Sequence, residues 1–298
     1  IRNVHYILYH NEFEQNFQCK WGVLSYLNPE DDIKLRTYNY FCKLNPDTLE
    51  ILSSDEIDTS KNDIEPVWEF IGLEDVRLFR WEKQLYASGV RRDVKENGEG
   101  RIELCKLDVT PDGVIEATRD RVEVDPHTHL EKNWMPILDM PFHFVRWCNP
   151  LEIIKVNPSN RSKQKALKGE LDIIDSEVVF KSNKPLDLPL GLRGSSQVIP
   201  FGDNGDRICV THETHFFWHQ NKKKDAQYYH RFIIWDKDWN IKKVSEQFKF
   251  MDAMIEFACG LVIKDNNFII TYGYQDNAAY ALKMPIQLLD KLKWDIDE

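Results

Sequence analysis

The sequence contains no apolar run near the roughly 18 residues that a bilayer-crossing helix needs. It has no glycine-rich loop of the P-loop or dinucleotide-binding kind and no Cys-x-x-Cys pair. The first absence argues against a membrane-spanning helix, the second disfavours P-loop and Rossmann enzymes, and the third removes the usual zinc and redox motifs. Positive charge is also short: 39 Lys and Arg against 49 Asp and Glu give a net charge of −10. A general nucleic-acid binder collects cations on one face, so no nucleic-acid partner is expected. The one dense basic run, Asn221-Lys222-Lys223-Lys224-Asp225, reads as an exposed loop. No Asp-x-Asp reads as a strand-borne metal site, and neither metal nor cofactor is expected.

What is present is a long series of short strands. Six cysteines, at 19, 42, 105, 148, 209 and 259, fall mostly in apolar strand-like runs and read as buried free thiols of a reducing, cytoplasmic compartment. The chain begins at Ile1 with neither a methionine nor a signal-like stretch, which fits a piece of a longer protein. Its 298 residues suit one large domain. Strand signals occur at 4–10, 22–27 and 35–41. A polar, acidic loop is expected over 52–66 and a polar linker over about 157–170.

Three segments resemble one another: Val76 to Val90, Gln197 to Glu213 and Gly260 to Tyr274. Each is a strand, a tight turn and a second strand that ends in polar or aromatic residues. Weak repetition of meandering sheets points to an all-β, five-bladed β-propeller, since blades of about 40–60 residues divide the chain into roughly five. Pro285 to Leu292 carries apolar residues at helical spacing and predicts a short C-terminal helix.

In a propeller the inner strands converge on a central channel. The residues expected there are Glu74, Asp75 and Arg77, then Lys132 and Asn133, Arg193, His212 and Glu213, Tyr229, His230 and Arg231, and lastly Glu256, Tyr272 and Asp276. Strict alternation places Asp75 and Arg77 on one strand face and Glu74 on the other. Carboxylates, cations and aromatic rings in one cleft are what glycosidic-bond chemistry requires. An acid protonates the leaving oxygen, cations hold an anionic nucleophile or donor, and rings stack on the sugar. Each residue also has an ordinary structural role open to it, as a surface ion pair or a satisfied strand residue.

The stretches Gly72-Leu73-Glu74-Asp75-Val76-Arg77-Leu78-Phe79, Lys132-Asn133-Trp134-Met135-Pro136, Ile255 to Leu261 and Thr271 to Leu282 resemble glycoside hydrolase family 130. That family contains the β-mannoside phosphorylases, with related domains in glycosyltransferases. The resemblance covers roughly 70–285 in order and implies a five-bladed propeller. It also implies an inverting mechanism, with Asp75 as the general acid acting through a sugar hydroxyl. By the same resemblance Lys132, Asn133 and His212 lie at a phosphate site, Asp276 contacts the sugar or phosphate, and Arg36 and Asn39 fall where the family has further sugar-site residues. The implied partners are an oligosaccharide or glycan and inorganic phosphate, a sugar phosphate or a nucleotide sugar.

Three departures bear on the chemistry. Val76 stands where the family has proline, and Lys132 replaces an arginine, exchanging a bidentate fork for a point charge. Thr211-His212-Glu213 replaces Tyr-His-Gly, which would set a carboxylate beside the anion and shift weight toward hydrolysis or transfer. The alternative is a non-catalytic glycan-binding accessory propeller of a glycosylation protein.

Overall fold

The computed structural model describes residues 2–6, 35–185, 191–218, 224–276 and 278–297. The strand readings at 7–10 and 22–27, Cys19 and the centre of the basic run at 221–223 lie outside these residues. Strands dominate the first half: β1 (Arg2–Tyr6), β2 (Leu35–Leu44), β3 (Ile51–Asp58), β4 (Phe70–Ile71), β5 (Leu73–Trp81), β6 (Gln84–Arg91), β7 (Arg101–Thr110) and β8 (Gly113–Glu123). The middle contains β9 (Met135–Pro136), β10 (His143–Cys148), β11 (Leu151–Ala166), β12 (Gly169–Lys181), β13 (Arg193–Gly194) and β14 (Ile199–Phe201). There follow β15 (Asp206–Trp218), β16 (Lys224–Trp235), β17 (Ile241–Ser245), β18 (Glu256–Lys264), β19 (Asn267–Tyr274), β20 (Ala278–Pro285) and β21 (Trp294–Asp297). The expected C-terminal helix is a six-residue 3₁₀ turn over Ile286–Lys291. No helix among the described residues is long and apolar enough to cross a membrane.

The fold is all-β, and the three similar segments are all antiparallel hairpins, the second of them β14–β15. Among the described residues, pairing groups the strands into sheets of twelve, six and three. In the largest, β3 pairs in parallel with β8, and β8 with β12. Two local expectations are corrected. The acidic loop at 52–66 begins as the strand β3, and the linker at 157–170 is the outer part of a long β11–β12 hairpin. Residues 159–165 of that hairpin are exposed, so they need no apolar alternation and give no strand signal.

Phe79, Trp81, Trp134 and Phe144 pack in one buried cluster among strands of the largest sheet, and Phe232, Phe268 and Ile270 in another between the six- and three-stranded sheets. Five of the cysteines are free, three of them buried. The entry to β5 is held by polar contacts. Asp93 Oδ2 accepts the Gly72 amide at 3.0 Å, and Arg91 Nε donates to Asp93 Oδ1 at 2.5 Å. Gly72 has φ 97°, and a Cβ there would meet the Thr37 carbonyl oxygen at 2.6 Å.

Burial ranks the cost of truncation. Phe268 is fully buried between aromatic neighbours, so Phe268→Ala is expected to destabilise the chain by about 3–5 kcal/mol in urea unfolding. Trp218 is 68% exposed, and Trp218→Ala should stay within about 0.5 kcal/mol of the parent.

Candidate functional site

Asp75 sits on a β-bulge. The β5–β6 register shifts between Glu74, opposite Val90, and Arg77, opposite Ser88, and Asp75 takes φ 53°. Gly89 faces the bulge, where a Cβ would meet the Glu74 carbonyl oxygen at 2.4 Å. The extra residue resets the alternation. Leu73 and Val76 therefore share one cluster, while Phe79 and Trp81 pack in another. The expected placement of Asp75 and Arg77 on one face by strict period two does not survive this shift.

Arg77 is 1% exposed, and its guanidinium gathers the neighbouring elements. Nη1 donates to the Asp75 carbonyl, Nε to the Ser195 carbonyl at 2.8 Å, and Nη2 to Asn133 Oδ1 and the Gly194 carbonyl, both at 3.4 Å. The cation also lies 5.1 Å from the Phe257 ring centre. Burial pulls the Arg77 pKa below its ordinary value, opposed by the negative charge of Asp75. Asn133 adopts φ 63°, and Gly194 passes so close that a Cβ would meet the Asn133 carbonyl oxygen at 2.2 Å.

His212 completes this cluster. It is 2% exposed, its Nδ1 lies 2.8 Å from Ser195 Oγ, and its ring stacks on Tyr228 at 5.7 Å and meets Phe257 edge-on at 5.0 Å. Burial pushes its pKa well below the ordinary 6.5, with His230, Arg77, Arg193 and Lys132 adding to the shift. The neighbouring cations act in the same direction as burial and favour the neutral imidazole. The Tyr228 hydroxyl is shifted upward by burial, then by Asp276 and Asp75. Both carboxylates therefore act on the same tyrosine.

Hydrogen bonds join Arg77 to the Asp75 carbonyl and Asn133, and through Ser195 to His212, which pairs across strands with Arg193. The charge of Lys132 acts on His212 and that of Asp276 on Tyr228. Glu213, Tyr229, Arg231, Glu256 and Tyr272, also expected there, are placed elsewhere. In the β15–β16 hairpin His212 pairs with His230 and Thr214 with Tyr228, so Glu213, Tyr229 and Arg231 occupy the opposite face. There Arg231 binds Glu213, Asp295 and the Ser245 carbonyl, while Glu213 also accepts from His215 at 3.1 Å and from Gln247. Tyr229 packs against His215. The carboxylate expected to repel an anion is committed elsewhere. Glu256 accepts the amides of Phe250, Met251 and Ala253 at 2.7, 3.0 and 3.2 Å and so shapes the 250–253 loop. Tyr272 is a core residue stacked on Phe250 at 4.5 Å. Glu74 lies at the bulge beside Asp75, half-buried.

Sequence reasoning missed Ser195, Tyr228 and Phe257. Each adjoins a residue it singled out or, for Ser195, lies two positions away, and finding them needed the phase of the hairpins. Among the described residues no group of three or more His, Cys, Asp or Glu is placed to hold a metal ion.

No protein-family model matches the sequence, and no curated protein matches it. Solved structures do. The agreement is one of fold, in line with the expected resemblance. β-1,2-Mannobiose phosphorylase from Listeria innocua, solved with β-1,2-mannobiose, is similar at TM-score 0.51 and 11% identity, covering 87% of this chain and 70% of that one. A glycoside hydrolase-like protein of Bacteroides ovatus is similar at TM-score 0.50 and 11% identity, covering 84% and 79%. Identity this low speaks to fold alone.

The buried imidazoles make stability depend on pH. His230 accepts the Ala258 amide at Nε2, and burial holds its pKa at about 3. Folded His212 and His230 are neutral where their unfolded counterparts, near 6.5, take up protons. Stability is therefore complete above about 6.5 and falls as pH drops toward the folded values, by about 1.4 kcal/mol per unit and per proton. Urea unfolding at stepped pH should show this slope, and His230→Leu should reduce it by one proton. An unchanged slope in the variant would contradict the assignment.

Proposed function

We propose that this chain makes or breaks the glycosidic bond of a mannoside-type substrate by a single inverting displacement. Asp75 is the general acid, and Lys132, Arg193 and His212 hold the phosphate, either free or as part of a sugar donor. The protein is then a glycoside phosphorylase or a transferase using an activated sugar, working on a five-bladed propeller in a reducing, cytoplasmic setting. The observation that carries this reading is the buried Arg77, hydrogen-bonded to the Asp75 carbonyl, Asn133 and the Ser195 carbonyl, beside a buried His212 that bonds Ser195 and pairs across strands with Arg193.

The chemistry follows from that arrangement. An attacking phosphate brings its own nucleophilic oxygen, so one carboxylic acid is enough to protonate the departing sugar oxygen. Three cations offset the charge of the anion, while a neutral imidazole can donate or accept one hydrogen bond without adding charge. Asn133 and Asp276 offer hydrogen bonds to sugar hydroxyls, and Phe257 and Tyr228 supply ring faces. With Glu213 turned to the opposite face, the main objection to phosphate in this pocket disappears, which favours phosphorolysis over hydrolysis.

The test is synthesis from mannose 1-phosphate or a nucleotide-linked mannose with a panel of acceptor sugars. Product formation should fall by at least about a thousandfold in Asp75→Asn while sugar binding persists. Consumption of mannose 1-phosphate would establish a phosphorylase, and consumption of the nucleotide sugar a transferase. Sugar binding with no turnover of any donor by the parent chain would make it an accessory glycan-binding domain instead. In the same assay Tyr228→Phe should change kcat or KM, whereas Tyr229→Phe, on the far face, should leave both within about twofold.

A further inference from the structure

A neutral imidazole carries one N–H and one lone pair, and which nitrogen holds the proton is set by the bond made at the other. His212 can therefore meet a ligand as a donor or as an acceptor, and the buried surroundings decide which. Nδ1 lies 2.8 Å from the Ser195 hydroxyl oxygen. The two ring nitrogens point in different directions, so Nε2 is turned away from Ser195.

The fold presents hydroxyl and ring to each other. Ser195 is 0% exposed, and its carbonyl accepts from Arg77 Nε at 2.8 Å. Arg193 and Gly194, just before it, pair with His212 and Thr211, and the Ser196 amide, just after it, donates to the Val210 carbonyl at 3.1 Å. The ring is confined between Tyr228, stacked on it, and Phe257, which meets it edge-on. Among the described residues the Ser195 hydroxyl has one hydrogen-bond partner, His212 Nδ1. With a proton on Nδ1, two donors would face each other and the hydroxyl hydrogen would be stranded in the interior, which is costly. With the proton on Nε2, the hydroxyl donates to Nδ1 and both groups are satisfied. The pair is not an activated nucleophile, because the fully buried Ser195 is out of reach of a sugar carbon.

We propose that Ser195 is a positioning residue that donates its hydroxyl proton to Nδ1 of His212 and so keeps the ring hydrogen on Nε2, making the imidazole a hydrogen-bond donor to an oxygen of a bound phosphate group. The ring state follows from the buried geometry, and its use rests on the phosphate reading given under the proposed function. A lone pair at Nε2 would face the negative oxygens of a phosphate, whereas an N–H there supplies a directed bond. It does so without adding a charge beside Arg77, Arg193 and Lys132, which act on the same ring.

The experiment is nitrogen-15 NMR of the imidazole rings in the full chain near neutral pH, with His212→Gln to assign the signals, followed by titration with inorganic phosphate and mannose 1-phosphate. The parent should show His212 protonated on Nε2, with Nδ1 a hydrogen-bonded lone-pair nitrogen, and phosphate should shift the Nε2–H signal. Ser195→Ala should move Nδ1 to its unbonded position and weaken phosphate binding by about threefold to tenfold, and Ser195→Thr should restore both. A proton on Nδ1 in the parent, or an Nδ1 signal unmoved by Ser195→Ala, would overturn the inference. Should Ser195→Ala not fold, the parent spectrum and Ser195→Thr decide. The expected ring state with no binding of either phosphate compound would refute the phosphate reading and leave the Ser195–His212 arrangement standing.

Discussion

The buried guanidinium of Arg77 is the interaction on which the candidate site depends. A cation removed from water needs several acceptors to offset its desolvation. Arg77 finds them in three carbonyls and one side-chain amide, drawn from the β5 bulge, the 131–134 stretch and the β13 segment. One side chain thereby fixes the relative positions of Asp75, Asn133 and Ser195, and through Ser195 that of His212. The negative charge of Asp75 acts on the guanidinium in addition to these hydrogen bonds.

The geometry around this cation uses residues that can occupy unusual backbone space. Asp75 and Asn133 both lie in the left-handed region, and Gly89 and Gly194 leave room where a methyl group would strike a carbonyl. Strain of this kind persists only where the surroundings over-determine it, and it concentrates at functional positions. Here it occurs at the two residues that bracket the guanidinium. The far side of the same hairpin does different work. Arg231 there is paired with Glu213 and Asp295, so one face of the hairpin carries ion pairs and the other the buried His212.

The all-β architecture was legible because buried strands alternate and turns carry Gly, Pro, Asn and Asp, as in the hairpin between β7 and β8 at Pro111-Asp112-Gly113. The β11–β12 hairpin was not, because an exposed arm places no apolar demand on its side chains. Asp75, Arg77 and His212 could be picked by type and by resemblance. Which of two neighbours faces the pocket could not. Tyr228 against Tyr229 and Phe257 against Glu256 are decided by register and by one bulge, and a shift of one residue reverses every choice. Glu256 looked like a site carboxylate because sequence does not show the three amides it accepts.

The most direct measurement is a crystal structure of the chain soaked in inorganic phosphate and mannose. The account predicts phosphate within hydrogen-bonding distance of Lys132, Arg193 and His212, with mannose between it and Asp75. Phosphate bound instead at Arg231 on the opposite face, or absent while mannose occupies the site, would contradict it.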